Sequence, residues 1–141
     1  MTKRREAGYG HRQCLMCGSD NPLSFGLTFH ADNDGVVYGS FQTHDGLQGY
    51  DGYVHGGVIS SLLDSAMTHC LFHQGVKAVT GELNIRFKSP VPCKATLDLR
   101  AWVALARTPL YYVEAELLYE QQVMARAKAK FMETEMAPQS T

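Results

Sequence analysis

The fold is decided by residues 53–75, which have the sequence YVHGGVISSLLDSAMTHCLFHQG. Apolar residues recur in this stretch at spacings of three and four, which is the period of a helix with one buried face. We predict that the helix starts at Gly57 and stops near Gln74-Gly75, because glycine readily adopts the left-handed conformation that ends helices. The apolar positions are Val58, Ile59, Leu62, Leu63, Ala66, Met67, Cys70 and Leu71.

Strand patterns lie on both sides of the predicted helix. Two short strands precede it and four longer ones follow, with turns rich in Pro, Gly, Asn and Asp between them. A lone helix followed by a run of strands predicts an α+β fold, in which a curved antiparallel sheet of five to six strands wraps one long central helix. The predicted strands cover 27–31, 36–41, 76–89, 95–107, 110–119 and 123–133.

The composition indicates a single globular domain. The chain has 141 residues, of which 45% are hydrophobic, and this size supports a core without disulfides. We predict a flexible N-terminal arm over 1–12, the domain over 13–133 and a C-terminal tail over 134–141. The formal net charge of −1 argues against a nucleic-acid partner. Neither a membrane helix nor a secretory signal is recognisable, so we expect a cytoplasmic protein.

The start of the predicted helix has two features that folding alone does not require. Gly56 and Gly57 stand where Ser, Thr, Asp or Asn usually caps the first turn, so we expect no side-chain cap. Free N–H groups at this positive helix end form an anion site, and glycines let a ligand approach closely. Asp64 lies about two turns further on in a narrow polar stripe. Burial under the sheet would raise its pKa and suit it to act as a base or nucleophile, whereas a solvent-facing stripe would leave it without a chemical role.

These motifs resemble the signature of hotdog-fold acyl-CoA thioesterases, in the branch typified by enzymes of phenylacetate degradation. The sequence HGG at 55–57 is followed by LLD at 62–64. The loop GLQGYDGYV at 46–54 is similar to that branch, and so is TGELNIRFKSPVP at 80–92, with its Asn-x-x-aromatic-x-x-Pro pattern. The similarity covers about residues 14–132 and implies the hotdog fold.

The resemblance also implies roles for individual residues. Asp64 would be the general base or nucleophile, and the backbone N–H of Gly56 would polarise the thioester carbonyl. His55 would orient the loop, and Thr80 would hold the water or the substrate. In such enzymes the site lies between two chains, with Asp64 from one chain and Gly56 from its partner. We therefore expect a homodimer that associates to a tetramer.

One position departs from the family pattern. Relatives often have Asn or Gln six residues before the motif histidine, where this chain has Gly49. Gln48 lies one residue earlier and becomes the catalytic candidate if the loop is shifted by one position.

Four further residues are candidates for binding the substrate. Gly57 belongs to the anion site at the helix start, and Asn84 belongs to the strand motif. Arg86 and Lys88 point to one face of the same strand, where they would supply fixed positive charge for the phosphates of coenzyme A. A plain solvated face is the alternative for these two cations.

Cys14 and Cys17 form a Cys-x-x-Cys-Gly motif that resembles half of a zinc knuckle. A structural zinc site needs four ligands, and a second such pair is missing from the sequence, although His11 could be a third ligand. The alternative is a turn with two thiols, so we predict no metal and no other cofactor. Redox chemistry is not expected either, because no helix follows that would lower a thiol pKa.

The preferred hypothesis is a thioesterase that hydrolyses a small or medium acyl-CoA, or an aryl-CoA, to the free acid and coenzyme A. Three alternatives stay open. The same pocket could bind acyl-CoA without catalysis. A hydratase or dehydratase could use the same fold, but such enzymes usually pair a catalytic histidine with a carboxylate. A small metal-binding structural protein could be built around the cysteine pair.

Overall fold

Residues 10–135, which the computed structural model describes, form one long helix and six strands. In chain order the elements are β1 (His30–Ala31), β2 (Val37–Gln42), a 3₁₀ helix (Asp45–Leu47), α1 (Gly56–His73), β3 (Ala78–Phe87), β4 (Thr96–Arg107), β5 (Leu110–Tyr119) and β6 (Gln122–Glu133). The strands form one antiparallel sheet in the order β1-β2-β4-β5-β6-β3. This is the predicted hotdog arrangement, with six strands around one central helix.

Helix α1 starts one residue before the predicted position and ends where the sequence indicates. Its C-cap is Gln74, and Gly75 follows with a φ of 77°, the left-handed conformation that glycine adopts without strain. The tight turn between β5 and β6 also lies where predicted, at Glu120 and Gln121, which both have positive φ. Within residues 10–135, no helix has the length and apolar character needed to cross a membrane.

The core lies between α1 and the concave face of the sheet. Alternate residues of the central strands point towards the helix and are fully buried, which is the two-residue period of a sheet with one covered face. The largest fully buried side chains are Phe72, Phe131, Leu62, Leu63, Met67, Leu71, Leu97, Leu99, Leu117, Val37, Val91 and Val113.

Among residues 10–135, the long strand β3 lies at one edge of the sheet and pairs with β6 alone. A β-bulge between Thr80 and Glu82 shifts the register by one residue. Because of this shift, Thr80 and Leu83 both point towards the helix although they are three positions apart, an odd spacing that would place them on opposite faces of a regular strand. The strand is exposed over most of its length, including Val79, Leu83 and Phe87.

The chain before β2 differs from the predicted pattern. Only His30–Ala31 pairs as a strand, although Leu27 and Phe29 are buried as the alternation indicated. The N–H of Leu27 instead donates to the carbonyl of Met16, so its backbone pairs with the N-terminal segment, while the Phe29 ring packs against Gly39 of β2.

The described part of the predicted arm, residues 10–12, is packed on the domain. The His11 ring contacts Phe72 of α1 edge-on, with ring centroids 4.9 Å apart. Arg12 forms a salt bridge with Asp20 at 2.6 Å. The predicted boundary at residue 13 is therefore too late, because an aromatic contact and an ion pair hold the chain before it. Residues 1–9 of the arm and 136–141 of the tail lie outside the described residues.

Candidate active site

The N-terminus of α1 is capped by a side chain, contrary to the prediction. His55 is the N-cap residue, and its Nδ1 accepts a hydrogen bond from the N–H of Gly57 at 2.8 Å. An imidazole nitrogen therefore takes the place of the Ser or Asp oxygen that usually fills this position. Among residues 10–135, the N–H of Gly56 has no hydrogen-bond partner. Of the two predicted anion donors, the N–H of Gly56 is therefore available to bind a ligand, whereas the N–H of Gly57 is bonded to His55.

The loop before the helix is braced by its own polar groups. The side-chain amide of Gln48 donates to the carbonyl of Asp45 at 2.7 Å and accepts from the N–H of Gly52 at 2.6 Å. Gly49 faces His55, and a Cβ on it would lie 3.2 Å from the Cα of that residue. At position 49, where relatives often have Asn or Gln, close packing against His55 thus leaves little space for a side chain. The neighbouring Gln48 already uses both ends of its amide in hydrogen bonds to the loop.

A cleft of about 1040 Å³ opens at the N-terminus of α1. Its floor is Gly56, and the ring of Phe87 from β3 lies beside it, 3.5 Å from where a Cβ of Gly56 would stand. Its walls are mostly apolar, while Lys88 contributes a positive charge. The lining residues are Gln48, Gly49, Tyr50, Tyr53, Val54, His55, Gly56, Ile59, Phe87, Lys88, Ser89, Pro90 and Val91.

Asp64 and Thr80 meet between the helix and strand β3. The hydroxyl of Thr80 donates to Oδ1 of Asp64 at 2.7 Å. Burial is the largest influence on this carboxyl group and raises its pKa, which the Thr80 hydrogen bond partly offsets. Asp64 is half-buried, so the polar stripe of the helix lies partly under the sheet. The pair combines a desolvated carboxylate with an oriented hydroxyl, which suits proton abstraction from water or direct attack.

The structure separates the remaining predicted site residues into two groups. Asn84 and Arg86 lie on the outer face of the sheet, opposite Lys128 and Arg126 of β6. Within one chain they are therefore remote from the cleft. Lys88 follows the end of β3. It lines the cleft and also a groove on the outer face, which Asn84 and Arg86 line as well.

The sequence motifs did not indicate the aromatic walls of the cleft. Phe87 belongs to the motif of β3, yet its ring also lies against Gly56 and is half exposed. Tyr50 and Tyr53 also line the cleft and are exposed. The strand alternation placed Phe87 on the opposite face from Arg86 and Lys88, and the contact with Gly56 shows that this is the helix side.

A second cluster of reactive side chains lies in the segment before β1. His11, Cys14 and Cys17 place their ligand atoms within 4.8 Å of one another. A hydrogen bond from the Cys17 side chain has the largest effect on Cys14, burial opposes it, and further bonds from His11, Cys17 and Met16 help to lower the Cys14 pKa to about 3. The expectation that nothing would lower a thiol pKa here was wrong, because turn and side-chain donors act in place of a helix.

Comparison with known proteins agrees with this geometry. The thioesterase superfamily matches residues 51–125, which include the end of the loop, the helix and strands β3 to β5. The chain therefore belongs to the thioesterase superfamily, as the motifs indicated. A relative from Mus musculus, named acyl-coenzyme A thioesterase THEM4, is 32% identical over 89 residues, which are 63% of this chain and 35% of that protein. The chain spans about a third of the length of this relative.

Solved structures support the fold. The PaaI protein of E. coli, from the phenylacetic acid degradation operon, superposes with a TM-score of 0.72 at 22% identity, over 78% of this chain and 80% of that one. The protein smu.793 of Streptococcus mutans, solved with acetyl-CoA, gives a TM-score of 0.71 at 21% identity, over 77% of this chain and 88% of that one.

Proposed function

We propose that the protein hydrolyses coenzyme A thioesters that carry a small or medium acyl group or an aryl group. The observation that carries this proposal is the half-buried Asp64 carboxylate, held by the Thr80 hydroxyl at 2.7 Å. A carboxylate in this position removes a proton from water or attacks the thioester carbonyl itself. The names of the superfamily and of the mouse relative agree with thioester hydrolysis.

In this proposal the oxyanion is bound at the start of α1. The N–H of Gly56 has no partner among the described residues, and it lies at the positive end of the helix dipole. Donors of this kind contribute about 3–4 kcal/mol to the stabilisation of a developing oxyanion. His55 acts as a positioning residue, because its bond to Gly57 fixes the first turn. Gln48 supports the loop through both ends of its amide.

The proposed site requires two chains. Gly56 and Asp64 are eight residues apart in one helix, which corresponds to about 12 Å along the axis. One thioester carbonyl cannot contact both groups of the same chain. A homodimer solves this if Asp64 of one chain works with Gly56 of the partner subunit. The exposed edge strand β3, which carries Thr80, is the surface that we propose for this pairing, and two such dimers would form a tetramer.

The cleft supports coenzyme A as the carrier. Its apolar walls suit an acyl or aryl group, and Lys88 at its edge suits a phosphate. The Streptococcus mutans protein, which has the same fold, was solved with acetyl-CoA. A hydratase is less well supported, because Nδ1 of His55 is engaged in capping the helix, where it accepts from the N–H of Gly57.

The test is release of free thiol from a panel of acyl-CoA and aryl-CoA esters by the full chain. We expect hydrolysis well above the uncatalysed rate for at least one small, medium or aromatic ester. Measurable binding of an ester without any turnover would replace the proposal by a non-catalytic acyl-CoA binder. Turnover of an enoyl-CoA or hydroxyacyl-CoA without thiol release would replace it by a hydratase.

Thr80→Val is expected to move the acidic limb of the kcat–pH profile to higher pH. The hydrogen bond from Thr80 lowers the pKa of Asp64, so its loss raises that pKa further. Hydrolysis needs the ionised carboxylate, and activity therefore disappears at a higher pH than in the wild type. The profile is measured by thiol release on the best ester of the panel. Thr80→Ser keeps the hydroxyl and should keep the wild-type limb; an unmoved limb in Thr80→Val would contradict the role of this bond.

A further inference from the structure

The segment before β1 brings together three side chains of the types that bind zinc. Nδ1 of His11 lies 3.4 Å from Sγ of Cys17, and Sγ of Cys14 completes a triangle with sides no longer than 4.8 Å. A nitrogen and a sulfur that bind one tetrahedral zinc ion, at about 2.0 and 2.3 Å, are about 3.5 Å apart. The observed spacing of His11 and Cys17 is therefore that of two zinc ligands.

The backbone of this segment is shaped around the sulfur of Cys14. The N–H of Met16 donates to Sγ of Cys14 at 3.3 Å, and the N–H of Gly18 donates to the carbonyl of the same residue at 2.8 Å. A Cβ at position 18 would lie 2.5 Å from the carbonyl oxygen of Arg12, so only glycine fits. A turn that directs an N–H group at a thiolate is the kind of support that outer groups give to metal ligands.

The histidine of the cluster is fixed by the helix. The ring of His11 packs edge-on against Phe72. The buried His69 lies next to both, and the centroid of its ring is 6.5 Å from that of the His11 ring. The salt bridge between Arg12 and Asp20 closes the loop on the other side. The three ligand atoms lie close together although residues 10–29, the described part of the segment before β1, contain neither a helix nor a strand.

We propose that His11, Cys14 and Cys17 bind one Zn²⁺ ion per chain, with a solvent molecule as the fourth ligand. Thiolate and imidazole ligands together favour zinc among the common divalent ions. Cys17 is buried, while His11 and Cys14 are half-buried, so the cluster is not fully enclosed. The ion ties the segment before β1 together and clamps it against α1. This proposal does not depend on thioester hydrolysis, since neither Asp64 nor Gly56 belongs to the cluster.

The test measures metal in the untagged full chain after purification with a thiol reductant. We expect about one equivalent of zinc in the wild type, and less than about a tenth of that in His11→Gln and Cys14→Ser. Co²⁺ added to the metal-free protein should give a thiolate-to-cobalt charge-transfer band, which should be nearly lost in Cys14→Ser. A chelator should lower the Tm of the wild type and leave that of Cys14→Ser unchanged. Cys93→Ser is the matched control, because Cys93 is a half-buried cysteine outside the cluster.

Several results would overturn the proposal. One is a folded wild type that contains no zinc and gives no cobalt–thiolate band. Another is metal binding that is unaffected by either substitution, or a Cys14–Cys17 disulfide that persists when zinc and reductant are supplied. Circular dichroism shows whether each variant is folded. His11→Gln keeps the test decisive if Cys14→Ser does not fold, because the half-exposed His11 side chain is not part of the core.

Discussion

Replacement of Asp64 by Asn is expected to lower kcat for thioester hydrolysis by about a thousandfold, within the usual range for loss of a general base. Asn has nearly the same shape, and its Oδ1 can still accept the hydrogen bond that Thr80 donates to the carboxylate. The substitution removes the ionised carboxylate, whose oxygen takes a proton from water or attacks the carbonyl. The protein should therefore stay folded and bind its substrate while the chemical step fails.

The measurement is thiol release by wild type and Asp64→Asn on the best ester of the panel. KM should change little, because Asp64 acts on the reacting atoms rather than on the coenzyme. Asp98→Asn is the matched control. Asp98 lies on β4, accepts a hydrogen bond from the hydroxyl of Ser40 and is distant from the proposed site. A variant at position 64 that keeps more than about a tenth of the wild-type kcat would remove Asp64 from the mechanism. Equal melting curves for the two proteins would exclude unfolding as the cause of any loss.

The helix and the sheet were predictable because their signals are local. Apolar spacing marks α1, and Gly75 marks its end through a conformation that few other residues tolerate. The turn at Glu120-Gln121 was predictable because it lies between two strands in which apolar and polar residues clearly alternate. The bulge at Gly81 was not predictable in this way. It depends on how β3 pairs with β6, and that pairing is set by residues more than forty positions away.

The site was predictable in its composition and less so in its geometry. The meeting of Asp64 and Thr80 follows from the family motif, and the structure brings the two side chains together. The cap at the helix start was missed, because histidine rarely fills this position and its role depends on the orientation of one ring. The outward direction of Arg86 and Asn84 was left open for a different reason. Parity along a strand tells which residues share a face, but it does not tell which face covers the helix.

The segment before β1 was the least predictable part of the described chain. It has no periodicity, so residues 10–12 looked like part of a loose arm. Its order comes from contacts between residues that are distant in sequence, such as the His11 ring on Phe72 and the Leu27 N–H on Met16. The Cys-x-x-Cys-Gly motif indicated half of a zinc knuckle or a turn with two thiols, and neither interpretation gives these distant contacts.

Leu83→Asp is expected to convert the proposed dimer into monomers and to abolish most of the activity. Leu83 lies in the middle of the edge strand β3, points to the helix side of the sheet and is exposed in the single chain. A carboxylate there would be buried without a partner if two β3 edges paired, and burial of an unpaired charge is strongly unfavourable. Because the proposed site needs two chains, separation of the chains removes the site as well.

The measurement is molar mass in solution, followed by turnover on the same samples. The wild type should have at least twice the 15.6 kDa of one chain, and Leu83→Asp should have the mass of a single chain with at least a hundredfold less turnover. Leu105→Asp is the matched control, since Leu105 is similarly exposed on β4, three strands from the β3 edge. It should keep the wild-type mass and activity. A monomeric wild type that hydrolyses thioesters at full rate would show that the site does not require a second chain, and Gly56 and Asp64 would then have to act on different parts of the substrate.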